Sequence, residues 1–350
     1  MNLLKETCAD IGKLNQEAME KAKERLDSLT KPPGSLGKLE DIAIKLAGMS
    51  GKVFTEVDKK VHIIMAGDHG VVEEGVSAFP QEVTPQMVLN FINEGAAINV
   101  LARQVGAEVK IVDMGIAADL QAKKVINKKI KKGTNNMVKG PAMSRKEAIA
   151  ALEAGIEVAS NAIKEGANII GTGEMGIGNT TPSSAIIAAV TDINLDELVG
   201  TGTGIDSDSL KHKQQVIKKA IAVNVPDSED GIDILAAVGG FEIAGMAGVM
   251  LGAAAHKIPV IVDGLISGAA ALIASKINED VVNYLLPSHR STEPGHINIL
   301  KEIGLEPMLD LNMRLGEGTG AVLAMNIVEA ATRIIKDMAT FAEASVSNKE

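Results

Sequence analysis

Residues 167–184, Ala-Asn-Ile-Ile-Gly-Thr-Gly-Glu-Met-Gly-Ile-Gly-Asn-Thr-Thr-Pro-Ser-Ser, constrain the fold more than any other stretch of the chain. Ile169-Ile170 reads as the end of a buried strand. Gly171, Gly173, Gly176 and Gly178 then turn the backbone, and Thr180 or Thr181 caps a helix with Pro182 in its first turn. Strand, glycine loop and helix start together form an anion site, because unpaired N–H groups point outward and the helix dipole favours negative charge. Glu174 sits inside that loop, where its carboxylate would repel a phosphate at close range. The loop also spells G-x-G-x-x-G from Gly171 to Gly176, with Asp192 roughly twenty residues on, the spacing of a dinucleotide-binding turn. That pattern needs its acid at the end of the next strand, whereas Ala185 to Val190 reads as helix. A purely structural turn is the other alternative.

Around this centre the chain alternates strand and helix. Val61–Ala66, Val109–Asp113 and Ile258–Asp263 read as buried strands, and Val281–Leu286 as a further one. Helical spacing runs over Leu3–Leu29, Leu39–Met49, Glu82–Val105, Ser144–Glu165, Gly231–His256 and from Gly320 to about Ala342. The expected fold is α/β, a Rossmann-like parallel sheet flanked by helices with right-handed crossovers. The large domain is expected over 61–302, and a small helical domain over 1–60 and 303–350, from both chain ends. Lys123, Lys124, Lys128, Lys129, Lys131, Lys132 and Lys139 read as a solvated excursion or an anion-attracting rim. Gly245, Gly248 and Gly252 mark a small-residue face for helix packing or a dimer contact. Strand ends carry Asp68, Asp113, Glu174, Asp263 and Ser291, and ligands of open α/β sheets bind at that edge. For Asp68-His69 the choice is between acid/base work and loop hydrogen bonding.

Composition removes several function classes. Aromatic residues are 2% of the chain and the net charge is −10, which disfavours base stacking and attraction to a phosphate backbone. One cysteine, Cys8, leaves no disulfide framework or thiolate cluster, and the six histidines show no HExxH spacing, so neither metal nor cofactor is expected. The apolar run Ile243–Ala255 is shorter than the about 20 residues a bilayer span requires. Met1 opens into a charged amphipathic helix, so a cytoplasmic protein without membrane or nucleic-acid partners is expected.

Six ordered blocks between about residues 30 and 335 carry a resemblance. They are Lys31-Pro-Pro-Gly-Ser-Leu-Gly37, Gly67-Asp-His-Gly-Val71 and Gly75-Val-Ser77 with Gln81-Glu-Val-Thr84. Gly173-Glu-Met-Gly-Ile-Gly-Asn-Thr-Thr181, Gly200-Thr-Gly-Thr-Gly204 and Leu315-Gly-Glu-Gly-Thr-Gly320 complete the set. Together they resemble the nicotinate-nucleotide–dimethylbenzimidazole phosphoribosyltransferase family. The resemblance implies a homodimer that transfers 5-phosphoribose from nicotinate mononucleotide to 5,6-dimethylbenzimidazole. The products are α-ribazole 5′-phosphate, part of the lower-ligand nucleotide of cobalamin, and nicotinate. An NAD-dependent dehydrogenase using the Gly171–Gly176 loop is the alternative.

The resemblance places the catalytic base at Glu317, and the chemistry it implies suggests roles for further residues. Glu317 would be the base that takes the proton of the benzimidazole N–H as the new bond forms, avoiding a cationic product. Glu174 would stabilise the oxocarbenium-like sugar, since nicotinate leaves as a neutral ring nitrogen without acid or metal. The 5′-phosphate would rest on Gly176, Gly178, Gly202 and Gly204, with Lys213 and Ser291 as further donors. Phe79, Pro80, Gln86, Met87 and Leu315 would form the slot for the base.

Overall fold

The computed structural model describes residues 3–120, 122–191, 193–202, 204 and 206–347. Helices α1 (Leu3–Asp10), α2 (Gln16–Asp27) and α3 (Lys38–Ser50) precede the first strand, β1 (Lys60–Gly67). The spacing over Leu3–Leu29 becomes two helices because Gly12 interrupts it, and Asn15 starts α2 afresh by accepting from Ala18 N at 2.9 Å. Helices α4 (Val83–Ile92) and α5 (Ala97–Val105) then lead to β2 (Glu108–Gly115), with Asn93-Glu94-Gly95 breaking the expected single helix. The short strand β3 (Val125–Asn127) lies within the lysine-rich segment, whose charges conceal it in the sequence.

Ser144 caps α6 (Arg145–Lys164) in a capping box: its Oγ accepts from Glu147 N, and its own N–H donates to Glu147 Oε2 at 2.7 Å. Strand β4 (Ile169–Met175) follows, then α7 (Thr180–Val190), α8 (Leu195–Leu198), α9 (Ser207–Asn224), α10 (Gly231–Val238) and α11 (Phe241–Ala255). Strand β5 (Val260–Val262), helix α12 (Leu265–Ile277), strand β6 (Leu285–Pro287) and helices α13 (Pro294–Glu302) and α14 (Thr319–Asp337) complete the chain. Of Val281–Leu286, expected as strand, the residues up to Tyr284 belong to a 3-10 turn (Glu279–Tyr284), and the strand that pairs is Leu285–Pro287.

All six strands are parallel, in the order β3-β2-β1-β4-β5-β6. The order reverses between β1 and β4, and the crevice at the carboxyl ends of those two strands is where such sheets bind ligands. Helices α5 and α14 cover one face, and α11 and α12 the other. Strand β4 does not stop at Ile170. Its pairing with β1 continues to Met65↔Glu174 and Ala66↔Met175, so Gly171 and Gly173 are strand residues and the turn begins after Met175. The cap of α7 is accordingly Asn179, in helical conformation, and neither Thr180 nor Thr181.

The face of Gly245, Gly248 and Gly252 is consumed within the chain. Helix α11 lies so close to α6 that a Cβ on Gly155 would overlap Gly245 O, and one on Gly248 would overlap Leu152 O. Every residue from Phe241 through Ala254 is buried, which leaves this face no surface for a dimer contact. At the chain ends α14 packs on α3 and α2, as the spacing of Val328, Ala331 and Ile335 implies, and Arg25 bonds Ile335 O and Met338 O.

Candidate active site

At the β1/β4 switch point lies a cavity of about 720 Å³. Of the residues singled out from sequence, Glu174, Glu317, Gly176, Gly202, Ser291, Phe79, Met87 and Leu315 line it. Gly178, Gly204, Pro80, Gln86 and Lys213 are not in its lining. Pro80 and Gln86 are exposed to solvent, whereas Lys213 is buried directly behind the wall, its Nζ donating to Thr180 Oγ1 at 2.8 Å. Thr180 does line the cavity.

Two carboxyls meet there. Glu174 is the penultimate residue of β4, and its Oε2 accepts from the Asn179 side-chain amide. Its Oε1 accepts from Glu317 N at 3.4 Å. Burial pushes its pKa up to about 8, opposed by the Asn179 bond and reinforced by the charges of Glu242 and Asp263. Glu317 precedes α14 in a run of left-handed backbone, φ 84° at Gly316, 61° at Glu317 and 86° at Gly318. Its Oε2 accepts from Ile98 N at 3.2 Å, in the first turn of α5. Burial raises its pKa, the Ile98 N–H opposes that rise, and the charge of Asp263 adds to it. Asp263, directly after β5, accepts from Ala321 N at 2.9 Å and so fixes the first turn of α14.

The polar wall around Gly202 holds groups that sequence reasoning did not single out. Arg314 Nη1 donates to Thr201 Oγ1 and Gly202 O, each at 3.2 Å. Burial lowers the pKa of Lys213 to about 8, with the charge of Glu293 opposing. Asn179, His289 and Glu293 also line the cavity, and Ser291 N donates to His296 Nδ1 at 3.0 Å. Asn179 and Arg314 border the Gly-rich blocks and could have been found there; His289 and Glu293 carried no signal in isolation. Conversely, Asp68 and Asp113 serve loops, accepting from Ala117 N at 2.8 Å and Ile116 N at 2.9 Å. His69 is buried with its Nε2 2.8 Å from Glu242 Oε1. The lysine-rich segment pairs locally (Lys128 with Glu157, Lys132 with Asp119, Lys139 with Glu73) and does not line the cavity. Among the described residues, no group of His, Cys, Asp or Glu is disposed to hold a metal ion, and no helix is long and apolar enough to cross a membrane.

A family model described as phosphoribosyltransferase matches residues 11–346, which places the chain in that class of pentosyl-transferring enzymes. The nicotinate-nucleotide–dimethylbenzimidazole phosphoribosyltransferase of Desulforamulus reducens is 55% identical over 349 residues, 99% of each chain. That of Geotalea uraniireducens is 54% identical over 351 residues, 100% of each. A solved structure of the enzyme from Thermus thermophilus superposes with a TM-score of 0.91 at 42% identity, covering 96% of this chain and 100% of that one. The chain belongs to the nicotinate-nucleotide–dimethylbenzimidazole phosphoribosyltransferase family. The dehydrogenase alternative falls with these matches. It also loses its motif, because Gly171 and Gly173 lie within β4; Asp192 is outside the described residues.

Proposed function

We propose that the protein transfers the 5-phosphoribosyl group of nicotinate mononucleotide to 5,6-dimethylbenzimidazole with inversion at the anomeric carbon, giving α-ribazole 5′-phosphate and nicotinate. The observation that carries this reading is the meeting of Glu174 and Glu317 in one cavity, joined by the Glu317 N–H, with apolar Phe79, Val83, Met87 and Leu315 in the same lining. The glycosidic C–N bond breaks with its electron pair going to the nicotinate nitrogen, which leaves uncharged. A lone pair of the benzimidazole forms the new bond from the other face of the sugar. Its N–H proton passes to Glu317, whose Oε2 stays on Ile98 N while the other oxygen serves as base.

Glu174 faces the cationic sugar. Burial favours its neutral acid, and the positive pyridinium of the bound donor favours the carboxylate, so donor binding expels its proton. Thr180, Lys213, Gly202 and Arg314 form the cluster best suited to the 5′-phosphate, with Gly176 and Ser291 in the same wall. Gly178 and Gly204, both at left-handed φ, shape the loops that carry those donors. The exposed Phe79 and Leu315 support a second chain closing over the mouth, as a homodimer. The test is to mix protein, nicotinate mononucleotide and dimethylbenzimidazole and to look for α-ribazole 5′-phosphate by chromatography. Its formation together with nicotinate in equal amounts is expected; nicotinate release without the coupled nucleotide would contradict the reading. Light scattering is expected to give the mass of two chains.

A further inference from the structure

Gly171 and Gly173 lie in the middle of a central strand, where side chains ordinarily pack and glycine weakens the sheet. The space they leave is filled by His62 of the neighbouring strand β1, paired to Gly171 in register and fully buried. A Cβ on Gly171 would lie 2.8 Å from His62 Nδ1, and one on Gly173 would lie 2.6 Å from Nε2. A Cβ on Gly318, from the segment before α14, would overlap both Cε1 and Nε2 of the same ring. Three glycines from two distant segments thus enclose one imidazole.

The ring is bonded on one side only. Its Nε2 lies 2.8 Å from the backbone carbonyl oxygen of Glu317, which can only accept, so Nε2 carries the proton and donates. Nδ1 has no hydrogen-bond partner among the described residues. Leaving a buried polar atom unpaired is destabilising, and an apolar side chain would avoid that cost, so packing alone does not account for a histidine here. Burial also pushes its pKa down to about 4, which keeps the ring neutral and its single proton on Nε2 at neutral pH.

What the proton holds is the least self-supporting residue of the site. Glu317 is not glycine, yet stands at φ 61° between two left-handed glycines. Such a backbone is strained and persists only where its surroundings over-determine it. Its N–H is held by Glu174, its carboxylate by Ile98 N, and its carbonyl by His62. We propose that His62 is a positioning residue for Glu317: the imidazole, seated among Gly171, Gly173 and Gly318, pins the Glu317 carbonyl and thereby aims the carboxylate into the cavity. This rests on Glu317 being the base.

The test compares two variants of similar length. In His62→Gln the amide nitrogen reaches about as far as Nε2 and still donates, whereas His62→Met fills the space without a donor. His62→Gln is expected to keep kcat within about threefold. His62→Met is expected to lose kcat about 10- to 50-fold, as misplacement of a reacting group does, with KM for both substrates within about twofold and a Tm like that of His62→Gln. Combined with Glu317→Gln, His62→Met is expected to add less than about a twofold loss, because the carboxylate it positions is gone. His62→Leu takes its place if the methionine variant does not accumulate. Wild-type turnover in His62→Met, or an equal loss with and without the Glu317 carboxylate, would overturn the inference while leaving Glu317 as base. Wild-type turnover in Glu317→Gln would remove both.

Discussion

The two carboxyls of the cavity rest on opposite kinds of support. Glu174 lies next to last in a central strand in regular backbone, with the β1 pairing running on through Met175, and its environment is set by burial, the Asn179 amide, the Glu317 N–H and the charges of Glu242 and Asp263. Glu317 occupies a left-handed loop and is held at its N–H, its carbonyl and its carboxylate by three different elements. Burial raises both pKa values, but only Glu317 has a helix-start N–H, that of Ile98, favouring its anion. The same residue type is thus prepared for two tasks. In the proposed mechanism one carboxyl ionises when a cation arrives, and the other stands ready to accept a proton.

Removing the base breaks the comparison most severely. Glu317→Gln is expected to lose about 10²- to 10⁴-fold in kcat, the usual worth of a positioned general base, with KM little changed in steady-state assays. Glu317→Gly is expected to be as inactive but no less thermostable than wild type, because glycine accepts φ 61° without strain. A lower Tm for the glycine variant in a melting scan would show that the loop is unstrained.

At Glu174 the comparison is sharpened by pH. A carboxyl raised to about 8 in the folded chain keeps its proton there while the unfolded chain loses it near the ordinary 4.5. Folding stability therefore falls as pH rises through that window and levels off above about 8. Glu174→Gln removes the group, so its Tm advantage over wild type is expected to grow from pH 5 to pH 8. In activity, kcat/KM for nicotinate mononucleotide is expected to rise with pH toward about 8 in wild type. Glu174→Gln is expected to lose that limb along with about 10- to 100-fold in turnover. A variant that retains the limb would assign it elsewhere.

The smallest effect is expected outside the carboxyl pair. Lys213→Ala is expected to raise KM for nicotinate mononucleotide about tenfold with kcat little altered, since a phosphate contact is made alike in ground and transition states. A turnover defect at unchanged KM would move Lys213 away from the phosphate.

Much of this architecture was legible from sequence because it is written in local pattern. Val61–Ala66 and Ser144–Glu165 are an apolar run broken only by His62 and a capping box, and both form where expected. Glu317 and Glu174 were visible because each stands among glycines. Other features depend on partners distant in the chain. Gly171-Thr-Gly173 looks like a turn until β1 pairs with it, and the reason for its glycines, His62, lies over a hundred residues upstream. β3 is three residues between lysines, and the Gly245 face belongs to α6 and to no second chain. Arg314 reaches Gly202 only through tertiary approach of two loops.

The central claim, that Glu317 removes the acceptor proton during bond formation, is tested most directly by turnover of wild type and Glu317→Gln across benzimidazoles of increasing N–H acidity. The deficit of the variant is expected to shrink steadily as the acceptor loses its proton more easily, while wild type changes little. A deficit of constant size across the series, or none at all, would contradict the assignment.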